Sequence, residues 1–272
     1  MKNLFLFLFL LVVFTSKAQD NRVSGLNSRQ FTKYWKVESE SPDYKVTFQG
    51  DTAEIVSPKG LTLWRKEKMS GKVTIEYDAC VVVESDGDRL SDLNCFWMAS
   101  DPQYPDNLWK REKWRSGIFL NCYSLQLYYL GYGGNHNSTT RFRRYDGDES
   151  GITNPKARPA ILKEYTDAGH LLKPNHWYHI KITNENNRVS YYIDGERLVD
   201  FRDAEPLREG WFGFRTTLSR TRITNFSYEC SSQEATAVPL QWIGETPRQD
   251  KAVSFGVPFD NCLLYTSPSP RD

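Results

Sequence analysis

In residues 177–201, WYHIKITNENNRVSYYIDGERLVDF, side chains alternate along Trp177-Tyr178-His179-Ile180-Lys181-Ile182. Val189, Tyr191 and Ile193 then lead into Asp194-Gly195, after which Leu198, Val199 and Phe201 return. A period of two puts alternate side chains on one buried face of a strand, and Asp-Gly is a favoured two-residue hairpin turn. The pattern extends outward. Upstream, Val73, Ile75, Tyr77, Ala79, Val81 and Val83 alternate with Lys72, Thr74, Glu76, Asp78 and Glu84; downstream, Trp211 to Arg215 and Ile223 to Tyr228 read as closing strands. No helical pattern runs longer than two or three turns. Many short strands separated by turn signals predict an all-β fold, an antiparallel two-sheet sandwich spanning residues 31–230.

Asn175 to Ile182, Tyr192 to Leu198, Gly210 to Phe214 and Thr221-Arg222-Ile223-Thr224-Asn225-Phe226 resemble the closing half of concanavalin A-like jelly rolls in bacterial sugar-processing proteins. That resemblance implies a jelly-roll sandwich, and it marks a fold rather than an activity. A second resemblance is shorter. Val238-Pro239-Leu240-Gln241-Trp242-Ile243-Gly244 and Val253-Ser254-Phe255-Gly256-Val257-Pro258-Phe259 resemble the opening of the exo-acting rhamnogalacturonan lyase family. It implies that residues 238–261 begin a second β domain, joined through the linker 231–237, whose catalytic part lies farther on.

Both ends carry expectations of their own. Lys2 and the apolar run Leu4 to Phe14 precede Thr15-Ser16-Lys17-Ala18, with small residues at the two positions a signal peptidase reads. Residues 1–18 are therefore expected to be a signal peptide cleaved after Ala18, leaving a short N-terminal segment, 19–30, and a secreted or periplasmic protein. The run falls short of the roughly twenty apolar residues a membrane span needs. At the other end, Cys262 to Asp272, CLLYTSPSPRD, resembles the translation of a transposase adapter used in shotgun sequencing. The expectation is that 262–272 is adapter-derived and that the parent protein has further C-terminal domains.

The formal net charge of +1, from 35 Lys+Arg against 34 Asp+Glu, gives no electrostatic case for nucleic acid or an anionic membrane as partner. The aromatic content of 14%, with eight Trp, matters more, because aromatic faces are what sugar rings stack on and are also good strand residues. Cys80, Cys95, Cys122 and Cys230 match no zinc spacing. Export permits disulfides, and the four leave three connectivities, or buried free thiols, equally open.

The densest polar stretch runs from Tyr128 to Tyr145. Gly131, Gly133 and Gly134 let the backbone bend or approach a ligand, and no helix or Lys-Ser/Thr pair follows to make a nucleotide loop. Arg pairs a carboxylate through a two-pronged fork, while Tyr stacks and hydrogen-bonds. Tyr132, Asn135, His136, Arg141, Arg143 and Tyr145 are therefore candidate ligands for an acidic polysaccharide or oligosaccharide. Trp97, Trp109 and Trp114, in the aromatic segment that also holds Tyr104, are candidate stacking platforms. If the domain were itself a lyase, Tyr132 or His136 would be the base and Arg141 or Arg143 the group neutralising the uronate carboxylate. Glu84-Ser85-Asp86-Gly87-Asp88 is a candidate structural calcium turn, with a plain acidic turn as its alternative. His170, His176 and His179 show no metal-ligand spacing, and the Glu-x-Asp-x-x-Glu pattern of jelly-roll glycosidases is absent around Glu76 and Asp78.

The sequence thus predicts a secreted carbohydrate-binding or carbohydrate-active module at the front of a pectin lyase-like protein. Its two rivals are a sandwich that is itself a uronate lyase and a structural domain that binds no sugar.

Overall fold

The computed structural model describes residues 23–231, so the expectations on 1–18, 238–261 and 262–272 lie outside the described residues. In chain order the strands are β1 (Val23–Ser24), β2 (Trp35–Ser39), β3 (Lys45–Gln49), β4 (Thr52–Ser57), β5 (Leu61–Arg65), β6 (Met69–Ser70), β7 (Lys72–Val81) and β8 (Leu93–Ser100). There follow β9 (Gln126–Gly133), β10 (Thr139–Asp146), β11 (Lys163–Tyr165), β12 (Tyr178–Glu185), β13 (Arg188–Ile193), β14 (Glu196–Arg202), β15 (Glu209–Thr216) and β16 (Ser219–Ser231). They form two antiparallel sheets. The first runs β14-β13-β12-β7-β16-β4-β3 with β1 beside β16; the second runs β11-β10-β9-β8-β15-β5-β2 with β6 beside β15. Among the described residues, helices are turns of three to five residues, and none is long and apolar enough to cross a membrane.

The sandwich starts earlier than residue 31. β1 pairs with Ser227 and Tyr228, Leu26 is buried in the core, and the Trp35 Nε1 donates to Gly25 O at 2.9 Å. The second half of the expected N-terminal segment is therefore part of the fold.

The two sheets differ in burial. In the first, β7 and β12 alternate between buried and partly exposed residues, as expected for one wet face. The hairpin between β13 and β14 turns at Asp194-Gly195, with φ of 50° and 85°. The two positive φ values are those of the primed turn that matches strand twist. In the second sheet, β5, β8, β9 and β15 are buried on both faces. One face packs Trp97, Tyr128, Leu130, Tyr132 and Phe142 against Tyr77, Ile180, Ile182 and Tyr191 of the first sheet. The other carries Trp64, Phe96, Leu127, Tyr129, Tyr145 and Trp211, which a long connection covers.

That cover is the segment between β8 and β9. Its Leu108, Cys122, Tyr123 and Leu125 pack onto the outer face, and buried ion pairs pin it. Arg115 Nη2 donates to Glu38 Oε2 at 3.0 Å and to Leu108 O at 2.7 Å, and Arg111 Nε donates to Asp101 Oδ2 at 2.7 Å. Cys80, Cys95, Cys122 and Cys230 are all free thiols, and burial pushes Cys95 and Cys122 up to about 12, so neither is a reactive thiolate.

Candidate functional site

The covering segment leaves part of the second sheet's outer face open. Across that part, Arg141 pairs with Gly131, Gly131 with Asn94, and Asn94 with Arg215. Directly opposed residues on neighbouring strands share a face, so three polar side chains and a gap stand in one row. In the adjacent row are Arg143, Tyr129, Phe96 and Gly213. Over these rows lies a cavity of about 360 Å³, walled by Phe119 and Tyr123 of the covering segment and by Asn135, His136 and Thr139 from the β9–β10 turn.

The turn takes its shape from residue type. Asn135, His136 and Asn137 all have positive φ (51°, 58° and 57°), a conformation that Asn tolerates better than most side chains. Asn137 fixes the turn from below, donating from Nδ2 to Leu172 O at 2.9 Å and accepting from Leu172 N at 2.8 Å. Asn135 and His136 are left exposed at the cavity's edge.

Four guanidiniums, Arg89, Arg141, Arg143 and Arg215, face two carboxylates, Asp92 and Glu40, so the lining is net cationic. Two of the four are neutralised within the protein. Arg89 Nη1 holds Asp92 Oδ2 at 2.6 Å, and Arg141 Nε holds Glu164 Oε1 at 2.6 Å. The other two have no carboxylate partner among the described residues. Arg143 donates from Nη1 to Pro159 O. Arg215, only 3% exposed, donates from Nη1 to Gly117 O at 2.6 Å and Thr62 Oγ1 at 3.4 Å and lies 5.6 Å from the Phe119 ring. No described carboxylate is within ion-pair distance of Arg215, although the Glu38 carboxylate acts on it through space and Glu40 stands beside it; its buried N–H groups still need acceptors.

Two more groups have unused hydrogen-bonding capacity. Asn94 is 6% exposed; its Nδ2 donates to Asp92 Oδ1 at 3.2 Å, while its Oδ1 is buried and unpartnered. Tyr129 is wedged between Phe96 and Phe119, each 5.5 Å away by ring centroid, and its hydroxyl lies over Gly131, where a Cβ would approach it to 2.3 Å. Burial, and secondarily Asp92, push the Tyr129 hydroxyl up, whereas Arg215 and Arg143 favour its ionised form. The net direction is upward, so Tyr129 is a neutral proton donor with both unpaired guanidiniums near it.

Of the nine residues the sequence proposed, Asn135, His136, Arg141 and Arg143 line the cavity. Three are corrected by burial. Trp97 is 0% exposed in the intersheet core; Tyr132 points the same way and donates to Leu171 O at 3.3 Å; Tyr145 is sealed under the covering segment, 5.1 Å from Tyr123. Trp109 packs edge-on to Trp211, and Trp114 is 44% exposed with Arg111 over its ring at 5.0 Å, but neither lines the cavity. Sequence reasoning missed Asn94, Tyr129 and Arg215; a charge closing the apolar run Trp211 to Phe214 was the available signal for Arg215. The acidic turn is held internally, Asp88 Oδ2 accepting from Glu84 N at 2.8 Å and Ser85 N at 2.9 Å, and no described cluster of three His, Cys, Asp or Glu is placed to hold a metal.

Fold and cavity together define a galectin- and concanavalin-like two-sheet sandwich with a cationic pocket on one outer face. The chain belongs to the family described as Domain of unknown function (DUF6250), whose model matches residues 55–226. Among solved structures it is similar to a Bacillus subtilis protein of unknown function with a galectin-like fold, with a TM-score of 0.61 and 15% identity over 78% of this chain and 96% of that one. It is similar also to the Emp47p carbohydrate recognition domain, with a TM-score of 0.51 and 14% identity over 78% of this chain and 96% of that one. A third is the VIP36 exoplasmic/lumenal domain in its Ca²⁺/Man3GlcNAc-bound form, with a TM-score of 0.50 and 9% identity over 79% and 90%. At these identities the likeness shows the fold. No curated protein matches the sequence.

Proposed function

We propose that this chain is a carbohydrate-binding domain that holds an acidic glycan in the cavity on the outer face of the second sheet. The observation that carries the reading is the pair Arg143 and Arg215, cationic, lining the cavity and hydrogen-bonded to carbonyl and hydroxyl oxygens, with no carboxylate within ion-pair distance among the described residues. A ligand carboxylate would give both guanidiniums a directly bonded anionic partner through charge-assisted hydrogen bonds. The sandwich relatives support a sugar as the carrier of that charge, one being described as a carbohydrate recognition domain and another as bound to Man3GlcNAc. The leader-like residues 1–18 suit a domain that meets polysaccharide outside the cell, and the resemblance of residues 238–261 to rhamnogalacturonan lyases selects the first probes.

Binding rather than elimination is the reading the geometry favours. Tyr132, one of the two bases a lyase was expected to use, faces the core, and burial holds its hydroxyl neutral. The test is calorimetry of the full chain against rhamnogalacturonan, polygalacturonate and neutral galactan, with absorbance of the unsaturated uronate followed in parallel. Binding to an acidic glycan, flat absorbance and a loss of about 1.5–3 kcal/mol in Arg143→Ala are expected. Rising absorbance that His136→Ala abolishes would move the domain to the lyases, and no binding to any acidic glycan contradicts the proposal.

A further inference from the structure

The cavity's unsatisfied groups are not scattered, and their arrangement specifies what kind of sugar unit they fit. Tyr129 and Arg143 stand opposite one another across the β9–β10 ladder, and Asn94 and Arg215 across the β8–β15 ladder, on the same outer face. Gly131 lies between Arg141 and Asn94 in the row, two residues along β9 from Tyr129. Because Gly131 has no side chain, the Tyr129 hydroxyl occupies the space above it. That hydroxyl makes no hydrogen bond to a described residue, and Tyr129, Arg143 and Arg215 line the same cavity. Three donors, one phenolic and two cationic, therefore serve the same part of the cavity. Beside them Asn94, more than nine-tenths buried, presents an acceptor, Oδ1, with no donor to meet it.

Resting on the binding function just proposed, we infer that Tyr129 Oη, Arg143 and Arg215 form the receptor for one sugar carboxylate, with Asn94 Oδ1 accepting a hydrogen bond from a hydroxyl of the same unit. The ligand class is then a uronic acid residue. A carboxylate is bonded directly to the sugar ring, which brings the neighbouring ring hydroxyl within reach of an acceptor beside the donors. The sulfur of a 6-sulfate ester stands one carbon and one oxygen farther from the ring than a uronate's carboxyl carbon and holds the ring hydroxyls away from Asn94. A neutral hexose leaves both guanidiniums without a directly bonded anionic partner. Tyr129 suits the role because it is held neutral: an ionised phenolate would repel the carboxylate that a phenol hydroxyl binds. Arg141, already engaged with Glu164, is outside the receptor and lines its approach.

The experiment compares the full chain with its Tyr129→Phe and Asn94→Ala variants. The probes are trigalacturonate, triglucuronate, the carboxyl-reduced counterpart of each, and galactose 6-sulfate. Tyr129→Phe keeps the ring that packs between Phe96 and Phe119, and an unchanged unfolding midpoint certifies the fold. Removing one hydrogen bond to a charged group is expected to weaken uronate binding about tenfold or more while leaving any affinity for the carboxyl-reduced trisaccharides as it was. Asn94→Ala is expected to weaken every trisaccharide that binds. Uronate binding untouched by Tyr129→Phe, or galactose 6-sulfate held as tightly as the uronates, overturns the receptor while leaving sugar binding intact. Absence of binding to all five probes in the unaltered chain overturns the receptor and the proposed function together.

Discussion

Gly131→Ala probes the site through a single methyl group. The new Cβ would lie 2.3 Å from the Tyr129 hydroxyl oxygen and 2.8 Å from the ring carbon that bears it, well inside van der Waals contact. The hydroxyl must withdraw by about 1 Å to restore an ordinary contact. The ring has little room, because Phe96, Phe119 and Tyr145 crowd it at centroid distances of 5.5, 5.5 and 5.8 Å. Overpacking of this kind costs about 1–3 kcal/mol, and each kcal/mol lowers the melting temperature of a domain this size by about 2–4 °C. Uronate binding should fall with it, since the donor is moved off its acceptor. Gly134→Ala is the control: it lies in the same hairpin, its nearest neighbours are Thr139 atoms at 3.7 Å, and its φ is ordinary. Differential scanning calorimetry and titration with trigalacturonate on both variants decide the matter. Gly131→Ala as stable and as tightly binding as the parent, or Gly134→Ala equally damaged, would refute the placement of Tyr129 over Gly131.

Two further predictions concern the scaffold. Arg115→Met removes the partner of Glu38, a carboxyl that is 6% exposed and that burial already holds above its ordinary range despite Arg115. Breaking a buried pair costs about 3–5 kcal/mol; because Glu38 titrates above its unfolded value, the deficit should shrink as pH falls and protonation discharges it. Urea unfolding at pH 7.5 and 5 checks this, and a cost below about 1 kcal/mol at pH 7.5 refutes it. For His170, burial works against the charged form, but hydrogen bonds from its ring nitrogens to the Asp167 and Glu196 carboxylates raise it overall above 6.5. Its contribution is therefore full below pH 6.5 and lost as pH rises through the raised value. The partners are exposed, so His170→Asn should cost at most about 1 kcal/mol more at pH 5.5 than at pH 8.5, and an equal or larger cost at pH 8.5 would contradict the pairing.

The first sheet was legible because one of its faces is wet. Alternation along residues 73–83 and the Asp194-Gly195 turn report local chemistry, and the structure places strands and hairpin where they indicate. The second sheet was harder to read, since burial on both faces erases the alternation that tells inside from outside. In β9, Tyr128, Tyr129 and Tyr132 are chemically alike. Only parity against β8 and β10 puts Tyr129 in the cavity and Tyr132 in the core, and that parity is set by partners distant in sequence. Tyr145 shares the outer face with Arg141 and Arg143 yet is sealed by Tyr123, a contact no local pattern encodes. Asn135, His136, Arg141 and Arg143 were readable because a glycine-bent hairpin rich in polar groups is open to solvent. Asn94 and Arg215 escaped because each is a polar residue in a mostly apolar strand, and its meaning depends on the register that brings the two opposite each other.

The central claim is that a sugar carboxylate pairs directly with Arg143 and Arg215, and a crystal structure of the chain with trigalacturonate or triglucuronate tests it most directly. One carboxylate is expected within hydrogen-bonding distance of Tyr129 Oη and of the Arg143 and Arg215 guanidiniums, with a hydroxyl of the same unit meeting Asn94 Oδ1. A sugar seated on the outer face of the first sheet, or held in this cavity with its carboxylates turned to solvent, would contradict it.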